Sequence, residues 1–98
     1  MVDKDLLNNG IIDLEIDYVK FKSNPYNYEM EKSGLKNNTV RIYDSNDSRF
    51  DKLGLWKMHG VSEDDFIIIE NNETNETFMR QVKSVVIYEN IYIITWRS

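Results

Sequence analysis

Residues 29–41 read Glu-Met-Glu-Lys-Ser-Gly-Leu-Lys-Asn-Asn-Thr-Val-Arg, and they predict a helix that stops, turns sharply and feeds a strand. Gly34 fits the position just past a helix end, where φ is usually positive and a side chain would clash, and Leu35 is then expected to pack back on Met30. In the strand that follows, Thr39, Arg41 and Tyr43 share one face and Val40 and Ile42 the other, because successive side chains alternate. Lys36, Thr39 and Arg41 are therefore expected to converge on one pocket.

Working outward, Ser23-Asn24-Pro25 is a helix start, with Asn24 capping free N–H groups and Pro25 preset for the first helical position. The helix is predicted over residues 25–33. Tyr26 and Met30, one turn apart, are expected to face the core, while Tyr28, Glu29 and Lys32 keep more solvent and Tyr28 stands at the pocket mouth beside Lys36. Upstream, Ile12, Leu14, Ile16 and Tyr18 alternate with acidic residues, which predicts a half-buried strand. At Val19 and Phe21 the parity switches, as a bulge or a barrel bend requires. Residues 1–10 read as a polar lead-in.

Downstream, residues 44–48 are turn and cap residues, and a second helix is expected from Asp47 or Ser48 to Gly60. Phe50, Leu53 and Trp56 recur at spacings of three and share one of its faces. Residues 65–70, with Phe66, Ile67, Ile68 and Ile69 in a row, read as a strand buried on both sides, followed by a hairpin tip at 71–75. Residues 77–88 form a strand long enough to bend across a barrel, and 91–96 form the last strand after a tight turn near Glu89-Asn90. The fold class is thus α+β: a small five-stranded mixed barrel or strongly curved sheet with two short helices packed outside.

Ninety-eight residues leave room for one domain, spanning 1–98, which buries roughly 60 to 68% of its unfolded surface. Cysteine is absent, which removes disulfide frameworks, thiolate zinc sites and cysteine nucleophiles, and a single histidine, His59, rules out a histidine-rich metal site. No metal and no cofactor is implied. No apolar run approaches the roughly 20 residues of a membrane span, and the opening residues lack a secretory pattern, so the expectation is a soluble, cytoplasmic protein with no membrane partner. Four Asn-x-Ser/Thr triplets, at Asn37, Asn46, Asn72 and Asn75, read on that basis as chance occurrences. The net charge of -5 argues against broad attraction to phosphate backbones, so any nucleic-acid contact must be local. The charge is uneven: Lys20, Lys22, Lys32, Lys36 and Arg41 cluster early, while Glu63, Asp64, Asp65, Glu70, Glu73 and Glu76 lie in a stretch without Lys or Arg.

The spacing Gly-x-Lys-x-x-Thr-x-Arg, carried by Gly34, Lys36, Thr39 and Arg41, resembles the signature of ASCH domains, a branch of the PUA-like superfamily. Phe-Met-Arg-Gln-Val at 78–82 and Ile-Ile-Thr-Trp at 93–96 are similar to small phage-borne members of that group. The resemblance implies a PUA-like fold and a pocket for RNA or a modified nucleotide around Lys36, Thr39 and Arg41, to which the helix position of Tyr28 and the strand face of Tyr43 add two tyrosines. Lysine brings a charge whose pKa falls on desolvation, threonine a hydroxyl, and arginine a planar fork suited to phosphate or a base edge. Some ASCH proteins resemble acetylcytidine amidohydrolases, in which the motif lysine, the threonine and a later glutamate carry amide hydrolysis. On that alternative Lys36 assists as base, Thr39 activates or is the nucleophile, and Glu70, Glu73 or Glu76 must stand in for the acid. A third reading is an acidic, phage-type inhibitor that covers a basic surface of a host protein with residues 63–76. The oligomeric state is not indicated.

Overall fold

The computed structural model of the protein describes residues 17–97; the expected lead-in and the strand positions Ile12, Leu14 and Ile16 lie outside the described residues. The elements follow as β1 (Asp17–Ser23), α1 (Pro25–Lys32), β2 (Asn38–Ile42), α2 (Arg49–His59), β3 (Asp65–Asn71), β4 (Thr77–Tyr88) and β5 (Ile91–Trp96). The sheet order is β1-β3-β4-β5-β2, with β1 parallel to β3 and every other neighbour antiparallel. This is the α+β architecture expected from the sequence, a strongly curved mixed sheet forming a half-barrel with two helices.

Curvature originates in β4. Its first half pairs with β3 and its second half with β5, and the register shifts between Val82 and Ser84. An extra residue in one strand increases the local twist and bends the sheet, so a 12-residue strand can serve two sheet halves that face different ways. The bend brings the two outer strands, β1 and β2, towards each other.

One face of the sheet carries the core. Val19, Phe21, Ile67, Ile69, Phe78, Val82, Val85, Ile94 and Trp96 meet Tyr28 of α1 and Phe50, Leu53 and Trp56 of α2 in one buried cluster. The spacing of three in α2 thus buries the face expected from it. On α1 the expected face is reversed: Tyr26 is 72% exposed, whereas Tyr28 is fully buried with its ring 5.4 Å from that of Phe78. Tyr28 and Glu31, three residues apart, form the inward face. The opposite sheet face exposes apolar side chains in two cross-strand rows, Val40-Ile93-Val86 and Ile42-Ile91-Tyr88. Among the described residues no helix is long and apolar enough to cross a membrane.

Candidate functional site

Local chemistry fixes the frame of the site first. The Asn24 side chain accepts from the Asn27 N–H at 2.8 Å and Pro25 opens the helix, as the sequence predicts. The helix ends at Ser33, and Gly34 follows at φ +90°, where only glycine is unstrained. The Met30 carbonyl then accepts from the Lys36 N–H at 3.0 Å, which sets where Lys36 emerges. Leu35 does not pack back on Met30; it is 76% exposed, and backbone bonds from Ser33, Gly34 and Lys36 to α1 close the turn.

From that turn β2 runs along the open side of the half-barrel. Thr39 and Arg41 share a face as alternation requires, but it is the inward face: Thr39 is 2% exposed, Arg41 is half-buried, and Val40 and Ile42 point outward. Their cross-strand neighbours are Ile94 and Tyr92. Together with Lys36 they line a cleft of about 250 Å3 whose other walls are Lys22, Ser23, Asn24, Asn27, Glu31 and Val40. Lys36, Thr39 and Arg41 are therefore brought together in space.

Tyr28 and Tyr43 are not part of this cleft. Tyr28 belongs to the core, since its ring fills the space between α1 and Phe78, and this corrects its placement at a pocket mouth. Burial raises its pKa, Lys32 opposing, and its hydroxyl has no hydrogen-bond partner among the described residues. Tyr43 leaves the strand and packs in an aromatic group, stacked on Tyr92 at 5.9 Å and edge-on to Phe50 at 5.5 Å.

Two residues that the sequence did not single out complete the cleft. Glu31 on α1 is 1% exposed; its carboxylate accepts from the Ser23 hydroxyl at 2.9 Å and faces the Lys36 ammonium at 3.9 Å. A buried carboxylate persists only with such partners, and both come from outside the helix. The available signal was position: Glu31 lies three residues after Tyr28, and Ser23 shares the parity of Val19 and Phe21. The carboxylates expected to supply an acid are elsewhere. Glu70 is held by Lys20 at 2.8 Å and by Asn75 at 2.8 Å, bonds that depress its pKa in that order.

Arg41 closes the cleft from the side of the sheet. Its guanidinium donates to the Thr39 hydroxyl at 2.9 Å, to the Lys22 carbonyl at 3.0 Å and to the Ser23 hydroxyl at 3.1 Å. Burial pulls its pKa below the usual arginine value; Glu31 opposes that shift and Arg49 adds to it. It stays protonated. Three of its five N–H donors are thus engaged and two are left for another acceptor.

No protein-family model matches the chain, and no curated protein matches it in sequence. The acidic stretch is divided by β3: Glu63 and Asp64 precede the strand, while Glu73 and Glu76 follow it, about 20 Å further along the strand direction. Asp65 turns inward and accepts from the Ser62 N–H at 2.6 Å. Among the described residues no group of three His, Asp or Glu is placed to hold a metal ion.

Proposed function

We propose that this chain is a small ASCH-like binding module that recognises RNA or a modified nucleotide in the cleft between β1 and β2. The observation that carries the reading is the convergence of Lys36, Thr39 and Arg41 on one cleft with Ser23 and Glu31. Such a wall offers a cation, hydroxyls, a carboxylate and spare guanidinium donors within one small space, the mixture that reads the edge of a nucleobase. Glu31 accepts hydrogen bonds and so suits an exocyclic amine or ring N–H, while Arg41 suits a carbonyl or ring nitrogen.

Titration with a panel of nucleosides and short RNAs tests it. Lys36→Ala is expected to weaken binding by about 1 to 3 kcal/mol. Absence of binding by the wild type, or equal binding by the variant, removes the reading.

One observation favours a second reading, the amidohydrolase: Glu31 places a carboxylate beside Lys36. Against it, the Thr39 hydroxyl accepts from Arg41, and donation by a cation withdraws electron density from the oxygen that must attack. Incubation with acetylcytidine, followed by chromatography for cytidine, separates the two. Turnover abolished by Lys36→Ala or Glu31→Gln would establish the enzyme.

A further inference from the structure

Lys22 and Arg41, which line the polar cleft, also line a second one. This neighbour, of about 500 Å3, is lined by Lys20, Phe21, Lys22, Arg41 and Arg49. Four of the five residues are cationic and none is acidic, in a chain whose net charge is -5. Chance placement of surface lysines does not account for it, because the two arginines are built in. The Arg49 guanidinium lies 4.1 Å from the ring centre of buried Phe21, and that of Arg41 lies 4.7 Å from it. Arg49 also donates to the Lys20 carbonyl at 2.6 Å and is gripped by Asp47 through three contacts.

These bonds hold two like charges against one aromatic ring; burial is the main cause of the lowered Arg41 pKa, and repulsion from Arg49 adds to it. Part of the positive charge is balanced nearby: Asp47 answers Arg49, and Glu70 answers Lys20 at 2.8 Å. Lys22 is less well matched, with Glu70 at 3.9 Å and an exposed side chain, and none of Arg41's three hydrogen bonds goes to a carboxylate. Lys22, the least compensated of these cations, therefore stands beside Arg41 at the residues that the two clefts share. A multiply charged anion placed there relieves the repulsion and takes the spare N–H donors of Arg41.

We propose that the cationic cleft receives the phosphate of a nucleotide whose base occupies the polar cleft, so that the ligand is a phosphorylated nucleotide, free or at an RNA end, rather than a nucleoside. This rests on the base-binding reading given above. Lys20 and Lys22 contact the phosphate, Arg41 spans the junction, and Arg49 holds Phe21 and the β1 backbone in place beneath it.

Calorimetric titration at low salt with a nucleoside, its 5′-monophosphate, a short RNA with and without a terminal phosphate, and inorganic pyrophosphate tests the proposal. The monophosphate should bind about 10- to 100-fold tighter than the nucleoside, the range of one or two charge-assisted hydrogen bonds. Added salt should shrink that difference. Lys20→Gln, a half-exposed residue outside the base cleft whose ammonium is shared with Glu70, should remove part of the gain, and pyrophosphate should compete with the monophosphate. A preference for the phosphorylated RNA over the free monophosphate assigns the ligand to a chain end, and the converse to a free nucleotide; both support the site. Equal affinity for nucleoside and monophosphate overturns the phosphate proposal while leaving the base-binding reading intact. Failure of every nucleoside, nucleotide and RNA to bind overturns both.

Discussion

Arg41 on β2 donates to the backbone carbonyl of Lys22 on β1 at 3.0 Å, so the two outer strands of the sheet are joined by a side chain rather than by a backbone ladder. A second arginine, Arg49, does the same for the Lys20 carbonyl from the start of α2. Carbonyls that a closed barrel would give to a neighbouring strand are instead met by guanidinium groups.

Arg41→Ala should consequently cost stability as well as binding. The loss of its bonds to Lys22, Ser23 and Thr39 is expected to lower the unfolding free energy by about 2 to 3 kcal/mol. Denaturant unfolding of the wild type and the variant measures it. A change below about 0.5 kcal/mol would show that the strands are held without this bridge.

Ser23→Ala removes the hydroxyl that serves both Glu31 and Arg41. Leaving a buried carboxylate oxygen without its donor costs about 1 to 3 kcal/mol. Ser23→Thr, which keeps a hydroxyl, should recover part of the loss, and equal melting curves for Ser23→Ala and the wild type would refute the role given to this bond.

Tyr28→Phe should go the other way. The phenolic hydroxyl is buried without a partner, so its removal is expected to raise stability by about 1 kcal/mol while the ring keeps its contact with Phe78. A destabilised variant would reveal a partner for the hydroxyl.

Acid should weaken the fold through Glu70. The bonds from Lys20 and Asn75 hold its pKa below the ordinary 4.5, so the folded state favours the ionised form. That contribution is fully present above about pH 4.5 and is lost as the pH falls through the lower folded value. Thermal melts between pH 7 and pH 3 should show a steeper acid decline for the wild type than for Glu70→Gln, and parallel curves would contradict the assignment.

The limits of reading this fold from sequence are visible in particular residues. Asn24, Pro25 and Gly34 mark the ends of α1 because their chemistry acts locally, and the β4 and β5 boundaries follow from apolar runs punctuated by Glu89-Asn90. Alternation correctly grouped Thr39 with Arg41 but could not say which group faces inward. The usual rule puts Val40 and Ile42 inside; at the open side of a half-barrel the interior is polar, so the rule inverts. Burial of Glu31 showed in the sequence only as its position three residues after Tyr28, since its partners Ser23 and Lys36 become neighbours only when β1 and the turn after α1 are in place. Tyr26 and Tyr28 offered α1 two rival apolar faces, and the contact with Phe78, fifty residues away, decided between them.

The strand order also has a kinetic meaning. β1 and β2 are separated only by α1 in the chain, yet β1 pairs with β3 and β2 pairs with β5 alone, so Asn38 waits for Thr95. Nothing in the first half of the described residues can form a ladder by itself, whereas β3, β4 and β5 are consecutive hairpins. Local contacts form before distant ones because short loops cost less entropy to close. During synthesis the segment bearing Lys36, Thr39 and Arg41 therefore emerges before β5, the strand that pairs with it, so the cleft cannot be completed until the end of the β3 to β5 meander has been made.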